Sequence, residues 1–160
     1  MSNLVAANSK NDDLLTKEGT SVKQFVTMEV DKQLFGIPVL AVQDVLRPQR
    51  ITRIPLATPE IMGSINLRGR IVTVISMRRR LGLPALKNAA EDCMHVVVDH
   101  KEEQYSLVVD SVGEVLNLPL SDFEQTPPNL AENWHNVSLG VYRLENRLMV
   151  VLDIENLFNF

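Results

Sequence analysis

Phe35-Gly36-Ile37-Pro38-Val39-Leu40-Ala41-Val42-Gln43-Asp44-Val45-Leu46 and Tyr105-Ser106-Leu107-Val108-Val109-Asp110-Ser111-Val112-Gly113-Glu114-Val115-Leu116 are two versions of one segment. Their numbers differ by a constant 70, and the leading aromatic, the aliphatics and a carboxylate coincide. A second block follows in each half. Gly63-Ser64-Ile65-Asn66-Leu67-Arg68-Gly69-Arg70-Ile71 matches Gly140-Val141-Tyr142-Arg143-Leu144-Glu145-Asn146-Arg147-Leu148, now at a difference of 77. Two blocks in one order, twice, mark two copies of a small unit.

Working outward, each unit reads as β structure. Phe25, Val26, Met28 and Val30 begin a strand, and Leu34, Phe35 and Ile37 lie in the next, after a turn at Asp31-Lys32. Apolar runs recur about every ten residues with Gly and Pro between them, the spacing of an all-β sandwich or barrel. Gly69 and Asn146 both tolerate φ > 0, so both are expected at tight hairpins. Ser76 and Asp153 each end a strand and can N-cap a short helical turn, over Met77-Arg78-Arg79-Arg80-Leu81 and Ile154-Glu155-Asn156-Leu157-Phe158. The first turn is closed by Gly82 with Pro84 beyond. The expected division is a disordered segment over 1–21, one subdomain over 22–88, a connector over 89–92 and a second subdomain over 93–160.

A chain of 160 residues buries enough surface to fold without a disulfide or metal, and its 45% hydrophobic content is ordinary. Cys93 is the only cysteine, as in proteins of reducing compartments. The opening MSNLVAANSKNDD has no basic region followed by an apolar one, and no apolar run reaches membrane-helix length. A cytoplasmic protein without membrane insertion is expected. Charge is uneven: eleven Lys and Arg against four Asp and Glu from Val22 to Asn88, then three against thirteen to Phe160. Such polarity steers protein partners. The arginines have no aromatics interleaved for base stacking, so nucleic acid is not expected.

Enzymatic readings find little support. Cys93, His95, Asp99, His100 and His135 match no standard zinc spacing, and alternation puts Cys93 and His95 on one strand face with His100 on the other. No third group orients a Cys-His nucleophile, and no Walker or dinucleotide glycine motif occurs. No catalytic residue, metal or cofactor is expected. A barrel that binds a small ligand without protein partners is the alternative.

The strings GIPVLAVQDVLRPQRITRIP (36–55), GSINLRGRIVTVISMRRRLGLP (63–84), LVVDSVGEVLNLP (107–119) and LMVVLDIENL (148–157), with Pro127-Pro128, resemble CheW domains from Val22 onward. Asn66-Leu67-Arg68-Gly69 at its distance from Gly36-Ile37 is the specific part. Asp44 stands where the family usually has Glu, Ser76 where it has Asp, and Ser106 and Asn146 where Gly is common. The resemblance implies two five-stranded SH3-like barrels with a groove between them and a non-catalytic adaptor role. The implied partners are the regulatory domain of a CheA-type histidine kinase and the cytoplasmic hairpin tip of a chemoreceptor, with adaptor-only rings left open.

The resemblance also places Asp44 and Arg68 close together, facing the receptor. They read either as a surface ion pair of under about 1 kcal/mol or as charged contacts to a partner, and the resemblance favours the second. Ile37, Val42, Val112 and Val115 are expected either in the core or lining the receptor groove. Leu67, Arg70 and Ile71 flank the first hairpin, where they pack locally or meet the kinase. Arg78, Arg79 and Arg80 read as a solvated helix face or as a contact for an acidic partner.

Overall fold

The computed structural model describes residues 13–15, 21–86 and 91–160. In chain order the elements are β1 (Asp13–Leu15), β2 (Ser21–Val30), β3 (Gln33–Pro38), β4 (Val42–Leu46), β5 (Ile61–Leu67), β6 (Arg70–Ser76), α1 (Met77–Arg80), β7 (Met94–His100), β8 (Glu103–Val109), β9 (Ser111–Pro119), α2 (Glu132–Asn136), β10 (Ser138–Arg143), β11 (Leu148–Leu152) and α3 (Ile154–Leu157). Single 3-10 turns cover Val39–Ala41 and Leu120–Asp122.

The strands form two sheets. One runs β9-β2-β3-β11-β10, with β1 added beside β2; the other runs β4-β7-β8-β6-β5. Neither ladder closes on itself, so each is an open five-stranded wrap with a seam between its edge strands. The expected all-β class with short helical turns stands.

The expected boundaries do not separate the sheets. β2 and β3 belong with β9, β10 and β11 from the far end of the chain, while β7 and β8 belong with β4, β5 and β6. Each sequence repeat has given its first hairpin to the other sheet. The junctions are parallel and equivalent: Val150 pairs with Phe35 and Thr73 with Tyr105, the same two positions under the two offsets. A repeat fixes what each unit looks like but not which hairpin docks where, because both docking edges are alike. Of the N-terminal segment, Asp13–Leu15 pairs with Ser21–Lys23, and the rest lies outside the described residues. Residues 89–90 of the expected connector also lie outside them.

Turn chemistry follows the duplication. Asp31 and Lys32 (φ 52° and 68°) join β2 to β3, and Lys101 and Glu102 (52° and 67°) join β7 to β8. Both are two-residue turns of the kind that matches strand twist. Arg68 and Gly69 (52° and 85°) do the same between β5 and β6. Asn146 departs from expectation, for it is not among the positive-φ residues. The Leu144 N–H donates to the Arg147 carbonyl at 2.8 Å across Glu145-Asn146, and neither of those two residues has a positive φ, so this turn is made without the left-handed backbone of the other three. Ser76 and Asp153 cap α1 and α3 as expected, accepting from the Arg79 and Asn156 amides.

Three apolar clusters hold the fold. Phe25, Leu34, Tyr142, Met149 and Val151 fill the first sheet's wrap, and Ile65, Val72, Val74, Cys93 and Val108 fill the second. Between the sheets lies the largest cluster, which includes Met28, Phe35 and Ile37 from one side and Val96, Val98 and Leu107 from the other. Each fully buried side chain of this size contributes about 1.5–3 kcal/mol. This shared layer makes the two sheets one body.

Candidate partner-binding surface

The seam of the second sheet lies between β4 and β5. A bulge shifts β4 between Val42 and Asp44, turning the Asp44 carboxylate toward that seam. Across it, the β5–β6 turn presents Arg68 from a left-handed backbone, and the Asn66 Oδ1 fixes the turn by accepting the Gly69 N–H at 2.9 Å. Arg68 Nη2 donates to Asp44 Oδ2 at 2.6 Å, while the Val45 amide donates to Asp44 Oδ1 at 2.9 Å. The Arg68 hydrogen bond outweighs the opposing effect of burial and holds the Asp44 carboxyl below its ordinary value. Arg68 remains 72% exposed. The two expected residues therefore meet, and they leave a guanidinium facing solvent.

Beside this pair, Arg70 is exposed and Ile71 is 70% exposed at the start of β6, while Leu67 is half-buried against the second sheet's core. A bare isoleucine next to an edge hairpin is an anchor without an internal partner.

The four apolar residues expected to line a groove separate. Ile37 is 0% exposed and sits in the central core, so direct partner contact by Ile37 is corrected to packing. It lies in β3, between two bonded neighbours, β2 and β11, with its side chain turned to the shared layer. Val42 and Val112 are half-buried against that layer, from β4 and β9 respectively. Val115 is 49% exposed on β9, and its counterpart Val45, which the sequence reading passed over, is 37% exposed on β4.

Two further features escaped the sequence. A cavity of about 790 Å³ lies under the 51–59 loop, lined by Ile54, Leu56, Met62 and Arg79 among others. Leu56 is fully exposed with φ 63°, an uncommon backbone for a leucine. The only hint was apolar residues between Pro55 and Pro59. The arginine run also divides. Arg78 makes a bidentate pair with Asp110 (2.9 and 2.7 Å), and Arg80 caps α3 by donating to the Leu157 and Asn156 carbonyls. Only Arg79 of the three is exposed, so the expectation of a solvated face is corrected for Arg78 and Arg80.

His95 in β7 and Cys93 just before that strand are both buried, and burial lowers the histidine's pKa and raises the thiol's. His95 Nδ1 lies 2.8 Å from Ser106 Oγ, and Nε2 has no hydrogen-bond partner among the described residues. The offset of 70 puts His95 in the place of Phe25 and Ser106 in that of Gly36. His95→Phe alone should destabilise by about 1–3 kcal/mol, because it strands the Ser106 hydroxyl. The double change His95→Phe with Ser106→Gly should restore at least wild-type stability by copying the other unit. A double variant no more stable than the single in thermal unfolding would refute this equivalence. Among the described residues no group of three or more His, Cys, Asp or Glu is arranged to hold a metal, and no helix is long and apolar enough to cross a membrane.

The family model for the CheW-like domain matches residues 24–160. The chain belongs to this family. The chemotaxis protein CheW of Helicobacter pylori is 28% identical over 152 residues, covering 95% of this chain and 88% of that protein. That of Bacillus subtilis is 26% identical over 139 residues, covering 87% and 88%. Protein PilI of Pseudomonas aeruginosa is 30% identical over 118 residues, 74% of this chain and 66% of PilI. The scaffolding protein TtCheW from Thermoanaerobacter tengcongensis superposes with a TM-score of 0.78 at 26% identity, over 86% of this chain and 93% of that one. Within the CheW-like fold, the two wraps described above are its two SH3-like subdomains.

Proposed function

We propose that the chain is a non-catalytic cytoplasmic adaptor that couples the signalling tips of chemoreceptors to the regulatory domain of a CheA-type histidine kinase. The observation that carries this reading is the exposed Asp44–Arg68 pair on the second sheet's seam, with bare Ile71 beside it, in a chain of the CheW-like family. Arg68 and Asp44 present charge to the receptor. Val42, Val112 and Val115 flank the contact from the two sheets, and Ile37 supports them from below. Leu67, Arg70 and Ile71 form the kinase-facing hairpin. The mechanism is geometric: two partners held on one rigid body have linked equilibria, so receptor motion biases the kinase. Relatives named as chemotaxis and scaffolding proteins support this over a small-ligand barrel.

Charge reversal tests it. Asp44→Lys faces Arg68 with a like charge, so receptor or kinase affinity should fall by several kcal/mol while stability changes by less than about 1 kcal/mol. Because the two residues pair with each other, the swap Asp44→Arg with Arg68→Asp should recover part of the loss in a double-mutant cycle. Wild-type affinity for both a receptor fragment and a kinase regulatory domain in Asp44→Lys, at matched stability, would remove the pair from the functional surface.

A further inference from the structure

The duplication makes the two seams comparable residue by residue. Under the two offsets Asp44 corresponds to Glu114, Arg68 to Glu145, Gly69 to Asn146 and Gln43 to Gly113. In the second sheet a carboxylate and a guanidinium span the seam at 2.6 Å. At the matching place in the first sheet stand two carboxylates, and neither Glu114 nor Glu145 has an ion-pair partner among the described residues. The seam stays open there as a mouth of about 500 Å³, with both glutamates in its lining. Its floor is apolar, made by Leu34, Leu116 and Leu144, which belong to or pack on the first sheet's core. Gly113 stands where the other unit carries Gln43, and a Cβ there would lie 2.7 Å from Thr27 Oγ1, so the glycine lets Thr27 approach the β9 bulge.

The neighbouring charges do not fill the gap. Arg147 is committed, donating to Glu29 at 2.8 Å and to the Lys32 carbonyl at 2.9 Å. The Thr27 hydroxyl donates to the Glu114 carbonyl at 2.6 Å, which pins the β9 backbone without engaging the Glu114 carboxylate. The mouth thus offers two carboxylates without an ion-pair partner among the described residues, above a hydrocarbon floor and beside the Arg147–Glu29 pair that shares its lining.

We propose that this mouth binds an arginine side chain of a protein partner, which supplies in trans the guanidinium that Arg68 supplies within the second sheet. Three methylenes lie on Leu116 and Leu144, and the planar fork donates to Glu114 and Glu145. A lysine fits less well, because one ammonium cannot serve two separated carboxylates with a fixed fork. The surface is distinct from the Asp44–Arg68 seam, and the inference does not depend on the adaptor reading.

The test is titration of the isotope-labelled full chain with N-acetyl-arginine amide, read from backbone amide shifts. N-acetyl-citrulline amide serves as the uncharged isostere and N-acetyl-lysine amide as the point charge. Arginine should shift the amides of 113–116 and 144–147, and citrulline should bind at least about tenfold more weakly. Glu145→Arg, which rebuilds the second sheet's pair inside the first, should abolish that response, and Asp44→Asn should leave it intact. Equal responses to arginine and citrulline would reduce the mouth to an apolar groove and overturn the proposal. So would equal binding of lysine, shifts confined to the Arg68 turn, or no response at all. The isostere comparison uses the unmodified chain and decides the matter even if a variant folds poorly.

Discussion

Gly63→Ala is expected to destabilise the protein by about 3 kcal/mol or more, lowering its melting temperature by roughly 10 °C. Gly63 holds φ 146° at the bulge of β5, where residue 52 crosses back to pair with residue 64 through two 2.8 Å hydrogen bonds. A Cβ there would overlap the Thr52 carbonyl oxygen and lie 2.8 Å from Ile51 Cγ2. The contact is with backbone, so no rotamer change relieves it. Gly140 is the equivalent in β10, where a Cβ would overlap Phe123 and lie 2.6 Å from the Glu124 carbonyl oxygen. Gly69→Ala is the control: φ is 85° but nothing lies within 4 Å, so only backbone strain of about 1 kcal/mol applies. Chemical denaturation of Gly63→Ala, Gly140→Ala and Gly69→Ala measures the difference. A Gly63→Ala cost no larger than that of Gly69→Ala would show that the loop does not lock the β5 edge.

Breaking the Arg78–Asp110 pair should be the next largest loss. The pair joins α1 to the corner between β8 and β9, and Asp110 Oδ2 also accepts the Asp31 amide at 2.7 Å from the β2–β3 turn of the other sheet. It is therefore a rivet between the two sheets. Arg78→Ala leaves a half-buried carboxylate uncompensated and should cost about 3 kcal/mol at neutral pH. Acidity gives the signature. Burial pushes the Asp110 carboxyl up, but the Arg78 and Asp31 hydrogen bonds together prevail and hold it below its ordinary 3.8. The stability it contributes is present above that ordinary value and is lost as pH falls through the lower, folded-state value. The gap between wild type and Arg78→Ala should accordingly narrow in acid. A gap independent of pH would mean that Arg78 acts through packing alone.

The β2–β3 turn at Asp31-Lys32, the Gly69 turn and both helix caps were legible because each is set by a few neighbouring residues. The duplication was legible because it is written twice. The exchange of hairpins was not, for Val150 against Phe35 and Thr73 against Tyr105 are interchangeable as strand partners. Ile37 and Val115 show the matching limit for the site. Both are aliphatics in β segments, and only the placement of β3 between two neighbours and β9 at an edge separates a core residue from a surface one. Arg78 and Arg80 looked solvated because their acceptors, Asp110 and the end of α3, lie 32 and 77 residues away. The Asp44–Arg68 meeting came from family resemblance, and its geometric cause, the β4 bulge and the left-handed Arg68, became visible only in three dimensions.

The most direct measurement of the adaptor role is co-sedimentation of the chain with a receptor signalling fragment and a CheA regulatory domain, each partner also run alone. The account predicts a ternary complex in which the kinase domain sediments with receptor only when this chain is present. It also predicts that the complex is weakened by Asp44→Lys. Absence of a ternary complex, under conditions where another CheW-like adaptor forms one with the same partners, would contradict it.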